Sequence, residues 1–249
     1  MVYKLFRGNV RAMLNRIKRM TPDRIKNILR PIYNIFANKY ASELAYWKSR
    51  NKGEDGKFEN SFYKTIMLAM AQESSDEFIK DKIVADFGCG PRGSLAWADA
   101  AKLRIGIDVL VDQYSKVFKN DIISHNMLYI KSTESCIPIP SNFVDVIFSL
   151  NAMDHVDNFS IMSAEVLRIL KKGGILYCSF NLGEPKSVTE PQNLSESIIQ
   201  KNLLGKMKIL EYRITNSGPK NNIYKPFFDN VLSYNSDYKG ILWVKAQKI

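Results

Sequence analysis

The feature that most constrains the fold is a short apolar run that ends on an acid and breaks into a glycine-rich turn. Residues 83–85 (Ile-Val-Ala) are typical of a buried parallel strand, and Asp86 ends this strand. Three glycines follow, at Gly88, Gly90 and Gly93. The run that begins at Ser94 predicts a helix. A strand, a glycine turn and a helix bring a nucleotide-like ligand against bare backbone in α/β proteins, so this segment predicts a ligand site.

A second acid supports this interpretation. The next predicted strand ends on Asp108, which lies 22 residues after Asp86. This is close to the spacing of ~20 residues expected for an acid that holds ribose hydroxyls. The glycines also fit the pattern of nicotinamide and flavin sites, which stay an alternative. Asp86 disfavours that alternative, because its carboxylate would repel a pyrophosphate, whereas a cationic ligand without phosphate suits both acids.

Further blocks downstream extend the pattern of strands, helices and turns. The five blocks are residues 86–90 (Asp-Phe-Gly-Cys-Gly), Asp108, residues 137–149, residues 151–156 and residues 165–176 with their Gly-Gly turn. In this order they resemble the class I S-adenosylmethionine-dependent methyltransferases. The resemblance is closest to the type 11-like branch, which acts on small molecules, lipids and sugars, and it covers about residues 80–182.

The resemblance implies an α/β, Rossmann-like methyltransferase fold. Its sheet is expected to have seven mostly parallel strands with an antiparallel last pair, preceded here by an N-terminal helical extension. We divide the chain into a basic amphipathic helical extension or lid at 1–57 and a methyltransferase domain at 58–249. Within the domain we predict a helix at 58–71 and late strands at 208–215 and 241–246.

The resemblance also implies S-adenosylmethionine as the methyl donor and assigns donor-binding positions. Asp86 is expected near the amino-acid or ribose end of the donor, and Asp108 is expected to accept both ribose hydroxyls. Glu134 adjoins Thr133, where the family's acid for the adenine amino group aligns. The remaining positions are Gly88, Gly90, Gly93, which stands in for the family's third glycine, and Asn151.

The acceptor side is predicted at the carboxyl end of a strand at 144–150. There we expect His155 to act as the general base, with Asp154 orienting it or raising its basicity. Two alternatives stay open: His155 caps the following helix or bonds to backbone, and Asp154 is a helix N-cap. Glu184 is a candidate for lining the same pocket, whereas His125 is expected at the surface without a partner. The sequence has no zinc-site spacing, so we predict no metal.

The charge of the chain is concentrated at one end. Residues 1–50 contain twelve Lys and Arg against two acids, which accounts for +10 of the net charge of +11. Apolar residues recur at helical spacing over 6–20, with basic residues largely on the other side. Three functions stay open for this extension: binding to an anionic membrane surface, docking on the domain as a lid, or attracting RNA.

The expected location of the protein follows from its apolar runs and cysteines, and the expected reaction follows from the resemblance. No apolar run approaches ~18 residues and no secretory signal is present, and the three cysteines suit buried, reduced thiols. We expect a cytoplasmic protein, with attachment to the inner face of the membrane as an alternative. We expect O-methylation of a small molecule, sugar or lipid-linked glycan intermediate. The alternatives are an RNA methyltransferase recruited by the basic N-terminus and a non-catalytic S-adenosylmethionine-binding protein.

Overall fold

A seven-stranded sheet lies at the centre of the protein, with helices on both of its faces. The computed structural model describes residues 39–218, 222–231, 233–237 and 239–249. The described helices are α1 (Lys39–Gly53), α2 (Ser61–Ala71), α3 (Val111–Val117), α4 (Lys119–Ser124), α5 (Phe159–Ile169), α6 (Glu196–Asn202) and α7 (Lys225–Phe228). The strands are β1 (Ile83–Phe87), β2 (Leu103–Asp108), β3 (Leu128–Lys131), β4 (Val144–Leu150), β5 (Leu170–Leu182), β6 (Met207–Asn216) and β7 (Gly240–Lys248). Short 3-10 turns lie at Asp76–Ile79, Met153–His155 and Leu204–Lys206.

The strand order is β3-β2-β1-β4-β5-β7-β6. Neighbours among β1 to β5 pair in parallel, whereas β7 runs antiparallel to both β5 and β6. This arrangement confirms the predicted seven-stranded, mostly parallel sheet with an antiparallel last pair. The chain order reverses at β1, between β2 and β4, so the carboxyl ends of these three strands open on one crevice.

Successive side chains of a strand point to opposite faces of the sheet, so the strands contribute to an apolar layer on each face. Ala85 of β1 packs in one layer with Val166 of α5 and Ile199 of α6. The preceding residue, Val84, packs on the opposite face with Ile66 of α2. All five side chains are fully buried. Because both faces of the sheet are covered, the polar ligand site is confined to the strand ends.

The helix predicted from Ser94 does not form, and this prediction is wrong. Residues 88–102 connect β1 to β2 as successive tight turns. Ala96 N donates to the carbonyl of Gly93 at 3.0 Å, and Ala98 N donates to that of Leu95 at 3.1 Å. Residues 88–102 are numerous enough for the helix that usually joins parallel strands, but these turn hydrogen bonds take its place. No helix N-terminus therefore stands behind the glycine turn.

The other predicted elements lie close to the observed ones. The helix predicted at 58–71 begins at Ser61, and the two late strands are each longer than predicted. The three cysteines are free thiols, of which Cys89 and Cys178 are buried and Cys136 is exposed. The prediction of buried thiols is therefore wrong for Cys136, because the loop before β4 leaves it at the surface.

Most of the predicted N-terminal extension lies outside the described residues. This applies to the amphipathic pattern at 6–20, and the boundary between 57 and 58 stays a prediction. The described part of the extension is α1, which ends just before the predicted boundary. Each helix in the described ranges is too short or too polar to cross a membrane.

Candidate functional site

The glycine turn after β1 approaches its neighbours more closely than any side chain would allow. Gly88 has a φ of +76°, and a Cβ there would lie 2.2 Å from the Cβ of Ala152 in the loop after β4. Gly90 has a φ of +57°, and its Cβ would lie 2.6 Å from Cζ2 of Trp47 in α1. Both positions therefore require glycine for conformation and for space.

The third glycine faces a different neighbour. A Cβ at Gly93 would lie 2.4 Å from the ring of His125. His125 is only 5% exposed, and its Nδ1 lies 2.7 Å from Tyr129 Oη. Burial lowers the pKa of His125, so its ring stays neutral near pH 7. The prediction of a surface histidine without a partner is wrong, because the bare backbone of Gly93 makes room for the imidazole.

Asp86 lies at the carboxyl end of β1 and is 4% exposed. Ser94 donates a short hydrogen bond to Asp86 Oδ2. Burial raises the pKa of Asp86 to about 7, and the charge of Asp108 adds to this effect. Ser94 was predicted as the start of a helix, and its hydrogen bond to Asp86 was not predicted.

Asp108 ends β2 and holds the adjoining backbone. Its Oδ2 accepts from Gly90 N at 3.1 Å, and its Oδ1 accepts from Leu110 N at 2.8 Å. Burial raises the pKa of Asp108 to about 6, although these hydrogen bonds act in the opposite direction. Asp86 and Asp108 thus meet at one crevice, as predicted from their strand ends, and a bound cation would favour the ionised form of both.

Helix α1 covers the glycine turn. The indole of Trp47 lies over Gly90, and its Nε1 donates to Glu43 Oε1 at 2.9 Å. The same indole packs edge-on against Phe58, with 6.0 Å between ring centroids. Arg92, within the turn, pairs with Glu54 just after α1. The donor side of the crevice is therefore closed by an element that precedes the predicted domain boundary.

Glu134 connects the loop after β3 to α1. Its Oε1 accepts from Lys39 Nζ and from Tyr40 Oη, each at 2.7 Å, and its Oε2 accepts from Asp157 N at 3.0 Å. Burial raises the pKa of Glu134, but these hydrogen bonds outweigh it and bring the pKa below its ordinary value. Glu134 is therefore ionised, and in this structure its partners are protein groups.

Asn151 follows β4 in a left-handed conformation, with a φ of +47°. Its backbone N donates to Ser179 Oγ at 3.0 Å, and Ser179 Oγ donates to Asn151 Oδ1 at 3.0 Å. The side chain of Asn151 is thus fixed against β5, at the boundary between the donor and acceptor sides. Asparagine tolerates this conformation better than most residues.

The 3-10 turn after β4 carries Asp154 and His155. Asp154 is 3% exposed, and neither carboxylate oxygen has a hydrogen-bond partner of normal geometry among the described residues. His155 Nε2 lies 3.9 Å from Asp154 Oδ1, which is too long for a hydrogen bond. The N-cap alternative for Asp154 is wrong, because Asn158 caps α5 by accepting from Ile161 N at 3.1 Å.

Two glutamates on the loop after β5 lie beside this turn. Glu190 hydrogen-bonds through its side chain with Glu184 and is close enough to His155 and Asp154 for their charges to act on it. Burial, followed by the contact with Glu184, raises the pKa of Glu190 to about 7. Glu184 also accepts from Lys239 Nζ at 2.9 Å. Glu184 was predicted as a pocket residue, whereas Glu190 was missed, because no motif marks it.

An aromatic residue from the connection between β6 and β7 reaches the same region. Tyr224 packs edge-on against Phe62 of α2, with 4.7 Å between ring centroids. Burial raises the pKa of Tyr224, and the charges of Tyr46, Asp154 and Asp86 add to the rise. Sequence reasoning missed Tyr224, since a long connection gives no periodic signal.

No cluster of three or more metal-ligating side chains lies within the described parts of the chain. The donor side of the crevice holds two acids, of which Asp86 is buried and Asp108 is partly exposed. The acceptor side holds acids and one histidine. Bare backbone at Gly88 and Gly90 separates the two sides. This arrangement suits a cationic ligand next to a proton-donating one.

Comparison with known proteins agrees with this geometry. Residues 85–178 match the methyltransferase domain family. No curated protein sequence matches the chain significantly.

Solved structures share the fold at low sequence identity. An S-adenosylmethionine-dependent methyltransferase from Mesorhizobium loti is 14% identical with a TM-score of 0.53, over 72% of this chain and 96% of that one. A geranyl diphosphate C-methyltransferase from Streptomyces coelicolor is 14% identical with a TM-score of 0.53, over 76% and 77%. The cyclase SpnF is 16% identical with a TM-score of 0.55, over 75% and 80%.

Proposed function

We propose that this S-adenosylmethionine-dependent methyltransferase, whose residues 85–178 match the methyltransferase domain family, methylates a hydroxyl oxygen of a small molecule, sugar or lipid-linked glycan intermediate. The observation that carries this proposal is the pair of acids at adjacent strand ends. Asp86 and Asp108 have raised pKa values, and a sulfonium donor would favour their ionised forms.

The residues of the donor side fit S-adenosylmethionine. Asp108 has two oxygens placed for ribose hydroxyls, and Asp86 lies one strand away, where the amino-acid end would reach it. Gly88 and Gly90 keep side chains away from the ligand, Gly93 shapes the turn, and Glu134 and Asn151 close the two ends. When bound, the donor supplies an electrophilic methyl group on a positively charged sulfur.

The acceptor side would handle the proton of the hydroxyl. His155 has a side chain that is 33% exposed, so an acceptor can reach it, and we assign it the general-base role. His155 would thus take the hydroxyl proton while the oxygen forms its bond to the methyl carbon and the bond from that carbon to the donor sulfur breaks, which would leave S-adenosylhomocysteine.

The contacts of α1 support a further part of this proposal, namely that the extension acts as a lid on the donor. Trp47 covers Gly90, and Lys39 and Tyr40 bind Glu134. The lid would exclude water from the sulfonium and fix the position of the donor. An RNA acceptor receives less support, because Glu184 and Glu190 would repel a phosphate backbone next to the base.

The proposal is tested by donor binding and by methyl transfer. We expect calorimetry to show that S-adenosylmethionine and S-adenosylhomocysteine bind and that a reduced nicotinamide dinucleotide does not. In Asp108→Asn the donor affinity should fall by about tenfold or more, because a charged hydrogen-bond acceptor is lost. Asp229→Asn, at an exposed ion pair with Lys225, is the matched control and should bind normally.

The activity arm uses donor labelled in its methyl group and a panel of hydroxyl-bearing sugars and glycolipids. Transfer should be retained in Asp229→Asn and strongly reduced in His155→Ala. Donor binding without transfer to any acceptor would support the non-catalytic alternative. Tight binding of the nicotinamide nucleotide in place of the sulfonium donor would overturn the proposal.

A further inference from the structure

The imidazole of His125 packs against the third glycine of the turn on the donor side. A Cβ at Gly93 would lie 2.4 Å from Cδ2 and from Cγ of this ring, so the ring contacts the bare backbone directly. His125 follows the last residue of α4 and is only 5% exposed. The imidazole therefore limits how the backbone of Gly93 can be placed.

The sheet holds His125 in this position. Its Nδ1 lies 2.7 Å from Tyr129 Oη on β3. Tyr129 in turn packs against β2, since a Cβ at Gly106 would lie 3.1 Å from Cδ1 of the tyrosine ring. Gly106 is the register partner of Asp86 on β1. His125 is thus fixed to the same strands that carry the donor acids.

The residue after Gly93 connects this contact to Asp86. Ser94 is fully buried, and its Oγ donates to Asp86 Oδ2. On the same segment, the carbonyl of Gly93 accepts from Ala96 N at 3.0 Å. A shift of Gly93 away from His125 would therefore move the hydroxyl that binds Asp86. The contacts run without a gap from the imidazole to the donor acid.

Titratable groups come to this region from three elements. Asp121, one turn earlier in α4, attracts a positive charge on His125. Burial raises the pKa of Tyr129 on β3 far above its ordinary value, so its hydroxyl is neutral. The glycine turn contributes Arg92, which is paired with an acid of the extension, and Cys89. Burial raises the pKa of Cys89 as well, so it is a neutral thiol.

Protonation of His125 finds little compensation among these groups. Asp121 favours the charged ring, but burial outweighs it and brings the pKa of His125 below its ordinary value of 6.5. A charged imidazole needs water or hydrogen-bond acceptors, and packing against the backbone of Gly93 limits its access to both. The contact between the ring and Gly93 is therefore expected to loosen when the ring takes up a proton.

On the basis of the donor site in the proposed function, we propose that His125 is a positioning residue for the methyl donor. Its neutral ring holds Gly93 and Ser94 in the arrangement in which the turn and Asp86 receive the donor. Protonation of His125 weakens donor binding, and donor binding opposes the protonation by the same factor. His125 acts through Gly93 and takes no part in the methyl transfer itself.

The first test titrates the wild type by NMR, with and without bound S-adenosylhomocysteine. The chain has two histidines, and His155→Ala assigns their signals because only His125 remains in it. We expect the pKa of His125 to fall further when the nucleotide is bound, since the bound state requires the neutral ring. A purely structural role of His125 would leave its pKa the same in the free and the bound protein.

The second test compares variants by calorimetry at pH 7.5 and pH 5.5. His125→Gln cannot take up a proton and can still bind Tyr129, so it should bind the nucleotide as the wild type does at pH 7.5. At pH 5.5 the wild type should have lost about fivefold more affinity than His125→Gln. The contribution of Asp86 to the pH dependence is present in both proteins and cancels in this comparison.

Two further variants complete the comparison. His125→Ala leaves a void beside Gly93 and should bind the nucleotide more weakly at both pH values. Asp229→Asn, at the exposed ion pair with Lys225, is the control and should follow the wild type. Thermal melting at each pH shows that every variant is folded, and if His125→Gln is not, the titration of the wild type decides.

The inference is overturned if the pKa of His125 is the same with and without the nucleotide. It is also overturned if the wild type and a folded His125→Gln lose affinity equally between pH 7.5 and pH 5.5. Either result, with normal nucleotide binding at pH 7.5, leaves the proposed function intact. Failure of the wild type to bind the nucleotide at either pH would contradict the proposed function, and this inference with it.

Discussion

The donor side and the acceptor side of the crevice differ in how their polar groups are satisfied. On the donor side, Asp86 accepts from Ser94, Asp108 from two backbone N–H groups and Glu134 from Lys39 and Tyr40. On the acceptor side, the buried carboxylate of Asp154 makes no hydrogen bond of normal geometry among the described residues, although the backbone N–H groups of Asp154 and Asn181 favour its ionised form. The three acids of the donor side are therefore better satisfied than Asp154, although Arg92 Nε in the glycine turn also has no partner among the described residues.

This difference suits an enzyme that uses one donor and a particular acceptor. A preformed donor side loses little conformational entropy when the common ligand binds. An acceptor side with unsatisfied groups discriminates strongly, because a wrong ligand leaves a buried carboxylate without donors.

The largest effect is expected at Gly90 on the donor side, where the Trp47 ring leaves no room for a side chain. Gly90→Ala places a methyl group 2.6 Å from the Trp47 ring, at a φ of +57°. We expect the donor affinity to fall by more than about tenfold, and the melting temperature to fall with it, because α1 must shift.

Gly173→Ala is the matched control for that variant. Gly173 also has a positive φ, of +78°, but nothing lies within 4 Å of its added Cβ. It should lose about 1 kcal/mol of stability through backbone strain and keep its donor affinity. Equal loss of affinity in both variants would show that strain, and not the close approach of α1, explains the result.

The second expectation concerns pH and Asp86. The folded-state pKa of Asp86 is about 7, above the ordinary value of 3.8. The stability contributed by this group is therefore fully present below the unfolded pKa, and it is lost as the pH rises from about 4 through about 7. The loss amounts to at most roughly 4 kcal/mol for a shift of about three pH units.

Asp86→Asn should therefore be more stable than the wild type at pH 8 and show a smaller stability difference between pH 5 and pH 8. Urea unfolding at both pH values measures this, and Asp229→Asn should keep the wild-type pH dependence. Donor binding to the wild type should strengthen over the same range and release protons, since the cation favours the carboxylate. If the stability of Asp86→Asn depended on pH as the wild type does, the raised pKa of Asp86 would not be the cause of that dependence.

How far the sequence predicts each side follows from where its residues lie in the chain. The donor acids, the glycines and their strands fall within residues 83–108, so one strand-turn-strand pattern predicts them together. Asp86 and Asp108 meet as predicted because parallel strands end at one edge of a sheet. The helix predicted after the turn does not form, and the helical pattern over 94–98 gives no sign of the tight turns that replace it.

The acceptor side comes from segments that only the tertiary structure brings together. Asp154 and His155 follow β4 and were predicted, but Glu190, Tyr224 and Lys239 come from three later segments. A single glutamate in a polar loop looks like a solvated surface residue in the sequence. Its chemistry depends on burial and on a second carboxyl group, which no local pattern encodes.

The smallest effect is expected at the contact between α1 and Glu134. Changing this contact tests whether the donor side and the acceptor side of the crevice are independent. Lys39→Ala removes one hydrogen bond to Glu134 and the ion pair with Asp157 Oδ1, while Tyr40 and Asp157 N still bind Glu134. The pair is partly exposed, so the loss should be about 1 kcal/mol or less. We expect faster amide hydrogen exchange in α1 and a change in donor affinity of less than about fivefold.

Exchange in the loop at 183–194 should stay unchanged. The control variant Lys225→Ala, at an exposed ion pair elsewhere, should alter exchange in neither segment. If Lys39→Ala also showed faster exchange in the loop at 183–194, α1 and that loop would open together. The donor side and the acceptor side would then not be independent.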